Sequence, residues 1–252
     1  MIYVASEIYD NLSLDKLIKL KDVSGIVLGD PYCMKRMFPY GEADLVDYAI
    51  RAYEQGLKVI FQTSCYMTER IFDQNITIVK YLHDRQICED ILVQDVGFSV
   101  EIKKMIPEIN LIWSQISRSR NDAENMLFNK FLKKNGIYGV GLIRPEMAGY
   151  LKEAGIVPVY SNRQINYSTV NRECYYIHEM GIWDHNCDRG CLKRSARMVN
   201  ENRGIDMTID GYKLNSSYAD VDLSSVDMNQ EIVLLRGWDV DEIARYMESM
   251  RG

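Results

Sequence analysis

Short apolar runs recur along this chain, each followed by a stretch with helical periodicity, and this alternation is the strongest constraint on its fold. IYVAS (2–6), GIVLGD (25–30), LKVIFQTS (57–64), DILVQD (90–95), LIWSQI (111–116), YGVGLIRP (138–145) and IVPVYS (156–161) read as strands. GIVLGD is apolar throughout, as expected of a parallel strand buried on both faces. The intervening segments carry helix signals. Thr68 precedes a helical stretch to about Asp84, Gly56 ends one that begins near residue 42, and Gly136 closes one opened by Asn121 or Asp122. IVLLRG (232–237) and DVDEIARYMESM (239–250) supply an eighth strand–helix pair. Eight strands alternating with helices in 252 residues predict a single α/β domain, 1–252, folded as a (β/α)8 TIM-type barrel, regular or somewhat irregular. A doubly wound open sheet is the alternative, but no G-x-G-x-x-G loop follows the first strand.

Segment 162–231 breaks the rhythm. It reads as a cysteine-bearing insertion plus a hairpin between strands seven and eight, the hairpin spanning MTIDGYKLNSS (207–217) and turning at Asp210–Gly211. Three of the six cysteines lie in CYYIHEMGIWDHNCDRGC, as Cys174, Cys187 and Cys191, spaced C-x12-C-x3-C. Thiolates are the ligands of iron–sulfur clusters and of structural zinc, and either centre usually takes four. Cys33, in the polar loop GDPYCMKR after the second strand, is the best fourth ligand. Cys65 and Cys88 read more easily as small buried hydrophobes. A [4Fe–4S] cluster and Zn2+ are both open on spacing alone. The absence of a C-x2-C pair counts against a zinc ribbon.

Charge narrows the partners. The net charge is −6, so a broad nucleic-acid surface is not expected. No apolar run is long enough to predict a membrane span. MIYVASEIYD lacks the basic start of a signal peptide, which favours a cytoplasmic setting, where clustered cysteines more often bind metal than form disulfides.

In a (β/α)8 barrel the chemistry sits at the C-terminal ends of the strands. Those ends carry Gln94 and Asp95 on strand four, Gln115 on strand five, Arg144 and Glu146 on strand six, and Asn162 and Arg163 on strand seven. Arg144 and Arg163 offer forked, permanently charged donors that grip a carboxylate. Asp95 and Glu146 are the candidate proton carriers. Gln94, Gln115 and Asn162 are candidate substrate contacts. A plainer reading has Ser64 and Ser117 capping helices and Asp95 paired with a nearby arginine.

SGIVLGDPYCMKR, AYEQGLKVIFQTS, ILVQDVGF, IWSQIS and GVGLIRPEM together resemble the collagenase-like peptidase U-32 family, as does NSSYADVDLSS followed by EIVLLRG. The resemblance runs almost the length of the barrel. The chain departs from the family's HG-x-x-C pattern, reading YSNRQINYSTVNREC after strand seven. The resemblance implies a [4Fe–4S] cluster on Cys33, Cys174, Cys187 and Cys191. It also implies membership of the branch that hydroxylates a quinone precursor or an RNA base without oxygen, with prephenate as the oxygen donor. A second U-32 family protein would then be a hetero-oligomeric partner. Two other readings are a non-catalytic, metal-stabilised scaffold and a U-32-type peptidase, although no protease machinery is visible.

Overall fold

In the computed structural model, eight parallel strands close into a barrel in the order β1-β12-β7-β6-β5-β4-β3-β2. The structure describes residues 1–6, 11–29, 42–64, 67–114, 126–142, 144–167, 195–210, 216–237 and 239–249. The barrel strands are β1 (Ile2–Ser6), β2 (Gly25–Leu28), β3 (Lys58–Gln62), β4 (Cys88–Val93), β5 (Asn110–Trp113), β6 (Ile137–Leu142), β7 (Val157–Ser161) and β12 (Ile232–Gly237). The helices are α1 (Asn11–Leu17), α2 (Glu42–Glu54), α3 (Glu69–Asp84), α4 (Val96–Met105), α5 (Met126–Lys134), α6 (Ala148–Glu153) and α7 (Val240–Ser249). The expected (β/α)8 barrel is therefore present, with all eight predicted strands in place to within a few residues.

Closure rests on β1 and β12, which run in register from Ile2 opposite Val233 to Ser6 opposite Gly237. Each strand's outer face packs on the helices. Val4, Leu28, Phe61, Ile91, Val93, Leu111, Val140 and Leu235 share one core with Leu45, Ile78, Leu82, Phe98, Leu151 and Ile243. Burying each Leu, Ile or Phe contributes about 1.5–3 kcal/mol before the cost of ordering the chain. Helix starts follow local chemistry. Thr68 Oγ1 accepts from Ile71 N at 3.3 Å and Asp95 Oδ1 from Phe98 N at 2.7 Å, so each satisfies an otherwise orphaned helix donor.

Inside the barrel, side chains form layers. The middle is apolar: Ala5, Val27, Ile60, Leu92, Ile112, Val159 and Leu234. The base holds Tyr3, Tyr138 and Asp90, with Tyr138 donating to Asp90 Oδ1 at 3.0 Å. Burial holds the Asp90 carboxyl above the ordinary carboxylate range, partly offset by the Tyr138 hydrogen bond and the Lys58 charge. Burial likewise raises the Tyr3 phenol to about 12. The C-terminal end of the barrel is polar and is built up below.

By its contacts the chain divides into two compact units, Met1–Gln164 with Asp220–Gly252, and Ile165–Ala219. The second contains a hairpin of β9 (Ser195–Asn200) and β10 (Ile205–Asp210), paired from Asn200–Ile205 out to Ser195–Asp210. Its turn is the short helical stretch Glu201–Arg203 followed by Gly204, whose φ of 62° is a left-handed conformation open to glycine. This hairpin precedes the expected one at 207–217, whose turn at Asp210–Gly211 lies partly outside the described residues. β10 pairs backward with β9, while β11 (Ser216–Asp220) pairs with β8 (Arg163–Tyr167). Among the described residues no helix is long and apolar enough to cross a membrane.

The base of the barrel generates a stability prediction. Asp90 holds its proton more readily in the fold than in the unfolded chain. Its contribution is thus fully present in acid and is lost as the pH rises through the raised native value. Asp90→Asn stays neutral and keeps an oxygen for Tyr138. It should unfold at a higher temperature than wild type at neutral pH, with the gap closing as pH falls toward about 4. Thermal unfolding of both proteins across that range checks this; a gap that widens on acidification contradicts it.

Candidate binding site at the barrel mouth

Because the strands are parallel, their C-terminal ends share one face, and the alternation that turns Ile60, Leu92, Ile112, Val159 and Leu234 inward turns the residues two positions on inward as well. These are Gln62, Gln94, Ser114, Ser161 and Arg236, all buried. Arg236 is the largest fully buried side chain of the described residues, with only 2% of its surface exposed. Its Nη2 donates to Gln62 Oε1 at 2.9 Å. In the sheet β12 and β3 are separated by β1 and β2, so this bond spans the barrel interior. Beneath it, a cavity of about 10 Å³ lined by Leu92, Ser114, Gly141, Val159, Ser161, Leu234 and Arg236 holds at most one water.

Two local features shape the mouth. At Gly29, just past β2, φ is 128° and an added Cβ would stand 2.0 Å from Gln62 O, so only glycine lets the two strand ends approach this closely. On the other side, the β7–β12 ladder ends at Ser161 opposite Leu234. Asn162 extends it with its side chain: Oδ1 accepts from Arg236 N at 2.7 Å and Nδ2 donates to Arg236 O at 3.0 Å. The Arg236 backbone is therefore clamped at the point where its side chain enters the barrel.

At this end of the barrel Gln62 Nε2, Gln94 Oε1 and the Oγ of neighbouring Ser64 have no hydrogen-bond partner among the described residues. Each belongs to a residue at least nine-tenths buried. A buried polar group without a partner costs about 1–3 kcal/mol, so this end of the barrel carries polar capacity that the described residues do not use.

The candidates named from sequence distribute as follows. Gln94 lies in the buried layer, and its Nε2 donates to Thr63 O at 2.7 Å. Asp95 is the N-cap of α4. Arg144 and Glu146 follow β6 around the turn Pro145–Met147, with Arg144 Nε 4.0 Å from Glu146 Oε1, Arg144 half-buried and Glu146 exposed. Asn162 is the clamp just described. Arg163 forms an ion pair and hydrogen bond with Glu242 on α7, its side chain 12% exposed. Gln115, Ser117, Cys33, Cys65, Cys174, Cys187 and Cys191 lie outside the described residues. Cys88 is a core thiol, as expected, and burial raises it to about 12. Ser64 Oγ caps no helix among the described residues. Among the described residues no group of three or more His, Cys, Asp or Glu is placed to hold a metal.

Arg236 is not among the candidates that the ends of strands four to seven supply. The same reading of IVLLRG puts Arg236 two residues beyond the inward Leu234, and that signal was available.

No family model matches the sequence, and no curated protein matches it. Among solved structures the chain is similar to the U32 peptidase Mk0906, at 13% identity, covering 94% of this chain and 92% of that one, with a TM-score of 0.53. It is also similar to a mandelate racemase/muconate lactonizing protein from Herpetosiphon aurantiacus, at 9% identity, 64% and 46% coverage and a TM-score of 0.45. The first likeness is one of fold, extending over nearly the whole of both chains.

The clamp makes Asn162→Ala a test of how the mouth is built. Losing both side-chain bonds strands a buried N–H and a buried C=O on Arg236. Stability should fall by about 2–5 kcal/mol. Denaturant unfolding measures this, and a loss under about 0.5 kcal/mol, the range of a neutral surface change, would mean that the clamp does not hold the strand end.

Proposed function

We propose that this chain is an iron–sulfur protein of the U32 type that binds a small anionic metabolite at its barrel mouth. In this reading it is a catalytic or accessory subunit in oxygen-independent, prephenate-linked hydroxylation of a quinone precursor or an RNA base, closest to the UbiV-type branch. The observation that carries it is the change in the barrel interior from an apolar middle to a buried polar layer at the C-terminal end, with a cation in it. That is the end where barrels of this class place their chemistry. The fold shared with a U32 peptidase supports the family reading.

The cluster assignment rests on sequence. Cys33, Cys174, Cys187 and Cys191 would hold a [4Fe–4S] cluster, which would supply one-electron chemistry. Four thiolates fill the four cluster positions. The barrel's own residues would bind and orient the anion. Arg144, on the rim, adds positive charge there. Glu146 beside it is the first candidate to move a proton, and Asp95, which caps α4 through Oδ1, is the second. A second U32-type chain is the partner this reading calls for.

Metal analysis tests the proposal. Protein purified without oxygen should be brown and contain about four irons and four sulfides per chain. Replacing any one of the four proposed ligands with Ala should bleach it, whereas Cys88→Ala should not. Colourless protein carrying one zinc, or a Cys33→Ala variant that keeps its colour, would overturn the assignment.

A further inference from the structure

We propose that an open cleft at the N-terminal end of the barrel, between the α2–β3 and α3–β4 turns, binds an aliphatic polyamine. The site lies at the end of the barrel opposite the mouth, and the inference goes beyond the proposed function without resting on it.

The cleft has a volume of about 640 Å³. That is within the range of about 300–1,000 Å³ in which small molecules are held. Two helix-to-strand turns build its walls. α2 gives way to β3 through Gly56, with φ 78°, and α3 to β4 through Gln86, with φ 58°, a left-handed conformation that few residues with a side chain adopt. At the start of β4 the ladder is bulged: Val59 stands opposite Cys88 and Ile60 opposite Asp90, so Glu89 is the extra residue. Cys88 stays in the core between strands and helices, and Asp90 accepts a hydrogen bond from Tyr138 at the base of the barrel. Glu89, left over between them, is exposed and lines the cleft.

The lining selects the ligand. Three carboxyl groups, those of Glu54, Glu89 and Asp90, face one ammonium, that of Lys58. The Lys58 charge acts on Asp90, which is also tied to Tyr138. Glu54 at the end of α2 and Glu89 at the start of β4 are exposed, and these are the carboxylates that meet a ligand. Among the described residues no group of three or more His, Cys, Asp or Glu is placed to hold a metal. The positive charge that suits this cleft is therefore spread along a molecule rather than held at a point. Buried Leu57 and Ile87 supply apolar wall in the same cleft. A polyamine matches both, with ammonium groups for the carboxylates and methylenes for the wall. Tyr53, 46% exposed, adds a ring face that attracts an ammonium.

Calorimetric titration of the anaerobically purified full chain with spermidine, putrescine and magnesium chloride, at matched ionic strength, is the test. Spermidine should bind saturably, one molecule per chain, and more tightly than magnesium. Glu54→Gln and Glu89→Gln should each weaken spermidine binding by about 2–5-fold, the effect of one solvated ion pair. The double variant should weaken it by about ten-fold. Both side chains are exposed, so the substitutions leave the fold intact. Glu153→Gln removes a carboxylate from the exposed side of α6, outside the cleft, and should change nothing. Absence of saturable spermidine binding would overturn the proposal. So would magnesium bound as tightly as spermidine, or a double variant that binds as Glu153→Gln does. Either of these would mark a general attraction of cations to a chain of net charge −6.

Discussion

Pairing of the first strand with the last holds this architecture together. β1 and β12 lie at opposite ends of the chain, yet five consecutive residues of each are in parallel register. With that pairing made, no barrel strand is left with an open edge, and every C-terminal strand end faces the same way. It also fixes which β12 side chains enter the barrel. A one-residue slip would turn Arg236 outward and present its neighbours Leu235 and Gly237 to the interior. The clamp by Asn162 and the close approach at Gly29 hold the neighbouring strand ends to this register.

Much of the fold could be read in the sequence because parallel barrel strands are buried on both faces and stand out as apolar runs. Helix starts were legible where a side chain caps them, as at Thr68. The β9–β10 hairpin went unread because its turn, Glu201–Gly204, is built from a short helical stretch closed by a left-handed glycine rather than from a two-residue turn signal. Which strands then find partners is a tertiary matter.

The candidate site was legible in its location and less so in its members. Strand ends gave Gln94 and Asn162, but sequence alone did not tell a side chain that lines the mouth from one that ties elements together. Arg163 sits two residues past a strand end and is tied to Glu242 on the last helix. Asp95 is engaged as a helix cap. Arg236, inside an apolar run, looked like the end of a hydrophobic strand, and only its burial and its reach across to Gln62 mark it out.

Anion binding at the barrel mouth, as proposed, would make binding and stability the same question. A ligand that binds only the folded state stabilises it by about 2.7 kcal/mol at a hundred times its dissociation constant. The most direct measurement is therefore the unfolding temperature of the wild-type chain as a small carboxylate is raised against chloride at matched ionic strength. A saturating rise with the carboxylate, beyond the chloride control, is what this account predicts. Coincident curves for the two anions, with every carboxylate tried, would contradict it.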